Sequence, residues 1–170
     1  MKKIGKLFFI ILLIILSLYF LTDYIYNDNY EVAYLKRVID GDTLLVNWYG
    51  QERRIRLLGI DTPESVGKYK DNPQKYGQEA SDFVKKNLTQ KLYLTKDKEN
   101  KDKYGRLLRY VWTKEPKEKY INEYMINVQL IKNGLAKTLF IKPNFKYKNE
   151  FEKYEKEAKK NKLKIWENSN

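Results

Sequence analysis

The chain has 170 residues and a formal net charge of +12, with 34 lysines and arginines against 22 aspartates and glutamates. This length suits one compact domain plus a small extra segment. The sequence contains no cysteine, which excludes disulfides and thiol nucleophiles, and no histidine, which excludes every mechanism that depends on a histidine base. Acid–base chemistry must therefore come from carboxylates, lysine, tyrosine or metal-bound water. The positive charge favours polyanionic partners such as nucleic acid or an anionic membrane.

The N-terminal segment has the pattern of an export signal. Three lysines lie within the first six residues, and residues 7–21 are apolar apart from Ser17. As a helix this apolar stretch would span about 23 Å, short of the roughly 30 Å hydrocarbon core of a bilayer. Residues 19–29 contain no alanine or glycine, so a small-residue cleavage site is missing. We predict that residues 1–30 form an uncleaved signal anchor with one membrane helix and a short linker. Secretion after cleavage is the alternative.

Residues 31–170 are predicted to form one domain of five short strands and about three helices. Alternating apolar residues predict strands at 31–39, 43–49, 52–58, 92–95 and 107–112. Apolar residues at helical spacing predict helices at 78–88, 121–132 and 147–163. A hairpin turn is expected at 49–51 and a mobile loop at 65–75, and Trp166 is expected to hold the C-terminus.

This order of elements predicts an α+β fold. Five short strands with helices interleaved after the third favour a small Greek-key barrel, and a five-stranded OB-fold is the leading candidate because its strand face and loops bind oligonucleotides. The pattern alone does not separate it from other small α+β folds.

Three short segments hold two arginines and, among their carboxylates, Asp42, Asp61 and Glu64, which suit phosphodiester chemistry. They are IDGDT at 39–43, RLLGIDTPE at 56–64 and DKYGR at 102–106. Cleavage of a phosphodiester requires cations on the phosphate oxygens as negative charge develops, and a carboxylate that orients or deprotonates the attacking water. Arginine grips phosphate through two donors at once, and carboxylates hold a hard cation. Together the three segments predict a metal-assisted phosphodiester hydrolase.

The order and spacing of these motifs resemble the thermonuclease family of staphylococcal-nuclease-like OB-fold enzymes, over about residues 35–166. The resemblance implies a Ca²⁺ ion held by the carboxylates of Asp42 and Asp61 and by the main-chain carbonyl of Thr62. A shell of carboxylate, carbonyl and water oxygens suits Ca²⁺ and not Zn²⁺. Asp40 also matches the motif, as a structural residue. Considered without the resemblance, these aspartates fit turn positions that hydrogen-bond their own backbone.

The resemblance also implies the catalytic and substrate-binding residues. Arg56 and Arg106 match two phosphate clamps, and Glu64 matches a residue that acts as general base or orients the attacking water. Lys103 and Tyr104 match positions that contact a flanking phosphate of the bound nucleotide. Considered singly, each of these side chains fits an ordinary exposed surface position.

One departure from the family pattern concerns base stacking. The family places two tyrosines after the segment GLAK, which lies here at 134–137. Phe140 is predicted to replace one of these rings, and the second has no counterpart. The loop after Glu64 and the segment before Asp102 also differ slightly in length. We therefore expect altered substrate preference with the cleavage residues all present.

The resemblance implies a Ca²⁺-dependent endonuclease that cleaves the P–O5′ bond of DNA, and of RNA, to leave 3′-phosphate ends, and the N-terminal signal pattern predicts that this domain lies outside the cytoplasm. The enzyme is expected to be a monomer. Two alternatives remain: a non-catalytic OB-type module that binds nucleic acid or another polyanion at the membrane, and a tethered structural protein whose basic face lies on anionic lipid. The presence of every charged site residue argues against the first, and lipid binding without oligonucleotide affinity would identify the second.

Overall fold

A computed structural model describes residues 2–27 and 30–168 of the chain. The chain divides into two compact units, residues 1–30 and 31–170. The first contains one helix, α1 (Lys2–Asn27); of the predicted linker, residues 28 and 29 lie outside the described part. In the described ranges, no helix combines the length and apolar character needed to cross a membrane. The predicted membrane-spanning helix is therefore not supported by the structure.

The second unit is built around a closed five-stranded barrel. Its strands are β1 (Glu31–Val38), β2 (Thr43–Trp48), β3 (Gln51–Leu57), β5 (Lys91–Thr95) and β6 (Leu107–Trp112). They close in the order β1-β2-β3-β6-β5, and every pair is antiparallel except β3 and β6, which run parallel. The predicted strands differ from these by at most one residue at either end. The predicted five-stranded barrel with packed helices is thus confirmed.

The strand register brings the motifs to one region of the barrel. Thr43 pairs with Arg56 across β2 and β3, and Arg56 pairs with Leu108 across β3 and β6. Arg106, which directly precedes β6, therefore lies close to the β2–β3 pair. Along β3, alternate side chains enter the barrel: Ile55 and Leu57 are buried, and Arg56 between them points to the outer face.

Four helices pack against the barrel: α2 (Gly77–Asn87), α3 (Ile121–Tyr124), α4 (Ile126–Lys132) and α5 (Lys148–Lys160). The single helix predicted at 121–132 is wrong, because Met125 interrupts it. Met125 adopts an extended backbone and forms an antiparallel bridge with Trp112 at the end of β6. Both side chains are fully buried, so packing against the barrel overrides the helical pattern.

A small two-stranded sheet was not predicted. It pairs β4 (Ile60–Asp61) with β7 (Lys137–Thr138), and Asp61 lies opposite Lys137. Two residues per strand give no alternation that a pattern could detect. The predicted loop at 65–75 contains a 3₁₀ turn at Gly67–Tyr69. Further 3₁₀ turns lie at Glu118–Tyr120 and at Lys164–Trp166, and the last of these places the half-buried Trp166 near the C-terminus.

Candidate active site

The guanidinium of Arg56 joins the two carboxylates that were predicted as metal ligands. Arg56 Nη1 donates to the main-chain carbonyls of Leu57 and Ile60 at 2.9 and 2.8 Å. Arg56 Nη2 lies 3.0 Å from Asp42 Oδ2 and 3.0 Å from Asp61 Oδ1. The side chains of Arg56 and Asp42 are 14% and 10% exposed, against 52% for Asp61. The structure therefore gathers three predicted site residues around one nitrogen, and the pair with Asp42 is the better shielded from solvent.

Arg106 is oriented by Asp102. Arg106 Nε donates to Asp102 Oδ2 at 2.7 Å, and Asp102 Oδ1 accepts the backbone N–H groups of Tyr104 and Arg106, both at 2.9 Å. Burial opposes ionisation of Asp102, but these hydrogen bonds outweigh it and hold the pKa of its carboxyl below the ordinary value. The negative charge of Asp102 is thus maintained opposite the guanidinium of Arg106.

Thr43 links the two arginine sites through Asp42. Arg106 Nη1 lies 3.5 Å from Thr43 Oγ1, and this hydroxyl donates to Asp42 Oδ1 at 3.0 Å. The other oxygen of Asp42 accepts the backbone N–H of Thr62 at 3.2 Å and contacts Arg56. Asp42 is only 7% exposed. A connected series of polar contacts therefore runs from Arg106 through Thr43 and Asp42 to Arg56.

Helix α2 holds the first and second motifs together. A Cβ atom on Gly41 would lie 2.7 Å from Thr62 Oγ1 and 2.9 Å from the Cβ of Ala80. Only glycine therefore allows the turn before Asp42 to approach Thr62 and α2 this closely. The same helix places the Ser81 hydroxyl 3.0 Å from that of Ser65.

The acidic side chains near Arg56 are crowded. Burial, followed by the neighbouring Asp42 carboxylate, raises the pKa of Asp40 to about 6. Burial also raises the pKa of Asp61; the Arg56 guanidinium opposes this effect and Asp42 adds to it. Burial and neighbouring negative charge disfavour the ionised form of these carboxyl groups. An added positive charge would stabilise that ionised form.

The donor atoms at this site fit a calcium ion. Hard cations prefer carboxylate and carbonyl oxygens, and Asp42 and Asp61 already converge on one cationic nitrogen. In the part of the chain that the structure describes, no three Asp, Glu, His or Cys side chains form a metal-binding group. Asp42 and Asp61 supply two carboxylates, and a shell that added carbonyl and water oxygens to them would suit Ca²⁺ better than Zn²⁺.

A cavity of about 560 Å³ lies beside the two arginines. Four residues predicted for catalysis or substrate binding line it: Arg56, Lys103, Tyr104 and Arg106. Tyr104 is 72% exposed, with Lys103 Nζ 5.1 Å and Arg106 Cζ 5.6 Å from the centre of its ring. Exposed aromatic rings beside cationic groups are common on surfaces that bind single-stranded nucleic acid.

Phe140 does not join the other predicted substrate-binding residues. It is half-buried, and its ring centre lies 6.1 Å from that of Phe151 and 6.5 Å from that of Phe145. The described lining of the cavity includes its neighbours Leu139 and Ile141 but not Phe140. The ring of Phe140 packs against the core, and its role in base stacking stays a prediction.

Glu64 follows β4 and has an exposed side chain. It is not among the described residues that line the cavity, but it lies two residues from Thr62, which bonds to Asp42. The catalytic candidate Glu64 therefore lies at the edge of the region that contains the two arginines.

Comparison with known proteins agrees with this geometry. The family described as staphylococcal nuclease homologues matches residues 54–168. A thermonuclease of Staphylococcus hyicus is 42% identical over 178 aligned positions, which cover 99% of this chain and 100% of that protein. A thermonuclease of Staphylococcus intermedius is 49% identical over 81% of this chain and 77% of its own length. The SPbeta prophage-derived endonuclease YokF of Bacillus subtilis is 42% identical over 78% of this chain and 43% of its own length.

The chain belongs to the staphylococcal nuclease family. The predicted family is thereby confirmed, and with it the class of phosphodiester-hydrolysing nucleases. For this member of the staphylococcal nuclease family, the roles of the individual site residues remain predictions.

Three residues that orient the site in this staphylococcal nuclease homologue were not predicted to do so. Asp102 precedes Arg106 by four residues in a turn, and this spacing of opposite charges is a signal that could have identified it. Thr43 belongs to the first motif, but its contact with Arg106 depends on strand register. Gln74, which bonds to the backbone of Glu64, is ten residues away in an irregular loop and has no local signal.

Proposed function

We propose that this protein is a Ca²⁺-dependent endonuclease that acts outside the cytoplasm and hydrolyses DNA and RNA to products with 3′-phosphate ends. Membership of the staphylococcal nuclease family supports the hydrolytic class. The main support for the proposal is the series of polar contacts that runs from Arg106 through Thr43 and Asp42 to Arg56. It joins two phosphate-binding cations to a buried carboxylate on one side of the barrel.

The two arginines bind and orient the phosphate. Arginine has five N–H donors, and among the described residues Asp102 and Thr43 take one each from Arg106. The remaining donors of Arg106 are available to phosphate oxygens, and the contact with Asp102 keeps the guanidinium in place as charge develops. Arg56 contributes its positive charge next to the carboxylates of Asp42 and Asp61.

Glu64 acts on the attacking water. Its exposed carboxylate can accept a proton from water or hold the water in line with the P–O5′ bond. Water loses a proton as its oxygen bonds to phosphorus, and the P–O5′ bond breaks. The 5′-oxygen takes up a proton from solvent and leaves as a hydroxyl, while the phosphate stays on the 3′-oxygen. Ca²⁺ held by Asp42, Asp61 and the Thr62 carbonyl would supply positive charge that stabilises the phosphate oxygens.

The N-terminal segment supports the proposed location. Its lysines followed by an apolar stretch match an export signal. Cell fractionation with an antibody to the C-terminal half tests this location: we expect the protein to be protease-accessible on intact cells or present in the medium. Retention on the cell would favour the anchored form, and release into the medium would favour the cleaved form. Protein found only in the cytoplasm would overturn the proposal.

The activity is tested with a single-stranded DNA that carries a fluorophore at its 5′ end. We expect the full-length protein to cut this DNA in the presence of Ca²⁺ and not after addition of excess chelator. Phosphatase treatment should then shift the mobility of the labelled products, because each loses a 3′-phosphate. Binding without cleavage would favour a non-catalytic module, and cleavage in excess chelator would overturn Ca²⁺ dependence.

A further inference from the structure

The backbone of Glu64 is held at two points by Gln74. The N–H of Glu64 donates to Gln74 Oε1 at 2.9 Å, and the N–H of Gln74 donates to the Glu64 carbonyl at 2.9 Å. These two hydrogen bonds join the residues at either end of the surface loop at 65–73, so that the two ends lie together. One bond uses the Gln74 side chain and can be removed by substitution, and the other uses only the backbone.

Gln74 is itself joined to the start of helix α2. The N–H of Gly77 donates to the Gln74 carbonyl at 2.8 Å. A Cβ atom on Gly77 would lie only 2.5 Å from the Glu64 carbonyl oxygen and 2.9 Å from its carbonyl carbon. The Glu64 backbone therefore packs directly on the first turn of α2, and Gln74 connects the two.

The residues between Gln74 and α2 are also tied to the C-terminal segment. Tyr76 Oη donates to Glu167 Oε2 at 2.6 Å, and the Lys75 ammonium forms an ion pair with the same carboxylate. Exposed ion pairs contribute little stability on their own. These contacts connect residues 75 and 76, which directly follow Gln74, to Glu167 near the C-terminus.

The Glu64 side chain has no comparable support. Among the described residues, no hydrogen-bond partner contacts its carboxylate, and the side chain is exposed. Its direction therefore depends on the backbone that carries it. A displacement of about 1 Å at a catalytic group can lower a rate by as much as about 100-fold, so backbone support at this position affects catalysis directly.

We infer that Gln74 is a positioning residue for the proposed catalytic Glu64: its side-chain oxygen holds the Glu64 amide against α2 and thereby directs the Glu64 carboxylate to the attacking water. This inference rests on the proposed nuclease function. Gln74 touches neither phosphate nor water in this role. Its removal should therefore lower kcat and leave substrate affinity nearly unchanged.

The first test compares three full-length variants in steady-state cleavage of single-stranded DNA. We expect Gln74→Ala to lower kcat by about ten-fold with KM changed less than about two-fold. Gln74→Glu keeps an oxygen that accepts the Glu64 N–H, and it should restore kcat to within about three-fold of wild type. The matched control is Gln78→Ala, because Gln78 is an exposed glutamine on α2 that bonds to Asp82 and not to Glu64; it should behave as wild type.

A double-mutant cycle separates positioning of Glu64 from a general effect on the fold. In a Glu64→Ser background, Gln74→Ala should cause no further loss of kcat, because the group that it positions is gone. An equal loss in both backgrounds would overturn the inference, as would wild-type kcat for Gln74→Ala. A change in KM alone would also overturn it.

Hydrogen exchange tests the contact independently of catalysis. The Glu64 amide should exchange faster in Gln74→Ala, by about ten-fold, and at the wild-type rate in Gln78→Ala. Unchanged exchange would overturn the inference even in an active enzyme. Absence of cleavage by the wild-type protein would instead refute the proposed function, so the two failures are distinguishable.

Discussion

Arg56 is bonded to two main-chain carbonyls and two carboxylates, and this makes it a structural residue as well as a candidate phosphate clamp. Its partner Asp42 is 7% exposed. Removal of one member of a shielded ion pair leaves the other charge buried without compensation, which costs far more than loss of a surface pair. Loss of activity in an Arg56 variant must therefore be separated from loss of stability.

We expect Arg56→Ala to lower the free energy of unfolding by about 3 kcal/mol, because Asp42 is left without its cation. Arg56→Lys should recover only part of the lost free energy of unfolding, since one ammonium cannot reach the carbonyls and both carboxylates together. Urea denaturation measures both effects. Arg54→Ala, an exposed position on the same face of β3, is the control and should change stability by less than about 0.5 kcal/mol. An equally small effect for Arg56→Ala would contradict the importance of the buried pair.

Asp102 gives a prediction with a defined pH dependence. Because its folded pKa lies below the ordinary value of 3.8, its charge stabilises the fold above that pH, and this contribution is lost as the pH falls through the lower folded pKa. Asp102→Asn should therefore be less stable than wild type by about 1–2 kcal/mol at neutral pH, and the difference should shrink below about pH 4. Urea denaturation at several pH values measures it. If the difference in stability between wild type and Asp102→Asn increased as the pH fell, the assigned role of the Asp102 charge would be contradicted.

At the scale of elements, the strands were predictable and the break between α3 and α4 was not. The buried Leu44 and Val46 alternate with the partly exposed Leu45 and Asn47 along β2, and this period-two pattern predicts a strand. Met125 has the correct spacing for a helix, yet it bridges Trp112. That pairing joins residues far apart in the chain, and no local pattern reports it.

The same distinction applies to the candidate site. The motifs predicted which charged residues lie near one another, and the structure brings Asp42, Arg56 and Asp61 together. The sequence pattern did not predict that the Phe140 ring packs on Phe151, because the direction of a side chain in an irregular segment depends on tertiary packing. The contacts of Gln74 were missed for a related reason, since they depend on how a loop closes.

Asn127 joins three elements near the site. On α4 and fully buried, it accepts the N–H of Val111 from β6 at 3.0 Å and donates to the carbonyl of Leu58 at 2.9 Å. Leu58 begins the turn that leads to Ile60, whose carbonyl binds Arg56. One side chain thus connects the helix, the barrel and the turn beside the arginine.

We expect Asn127→Ala to lower the free energy of unfolding by about 3 kcal/mol, because two buried backbone groups lose their partner. The control is Asn133→Ala, at the exposed end of the same helix, which should cost less than about 0.5 kcal/mol. Chemical denaturation monitored by tryptophan fluorescence gives both values. Similar small losses in the two variants would show that Asn127 does not hold these elements together.

At the scale of the whole molecule, the net charge of +12 governs encounter with a polyanion. Each phosphate contact with a single strand contributes a slope of about −0.7 in log affinity against log salt. Contacts from Arg56, Arg106 and Lys103 together predict a slope of about −2. Fluorescence anisotropy can measure the affinity for an uncleavable single-stranded oligonucleotide at several salt concentrations. We expect these affinities to give a slope of about −2. Affinity independent of salt would contradict phosphate recognition by these residues.

We propose that the arginines and Glu64 form one catalytic site. Measurement of kcat/KM for Arg106→Ala on single-stranded DNA with Ca²⁺, beside wild type and Arg54→Ala, tests this proposal. We expect Arg106→Ala to lose about 100- to 1,000-fold in kcat/KM, because a preorganised cation is removed from the developing charge, while its circular dichroism stays that of a folded protein. Arg54→Ala should stay within about two-fold of wild type. Wild-type activity in a folded Arg106→Ala variant would contradict the assignment of the site.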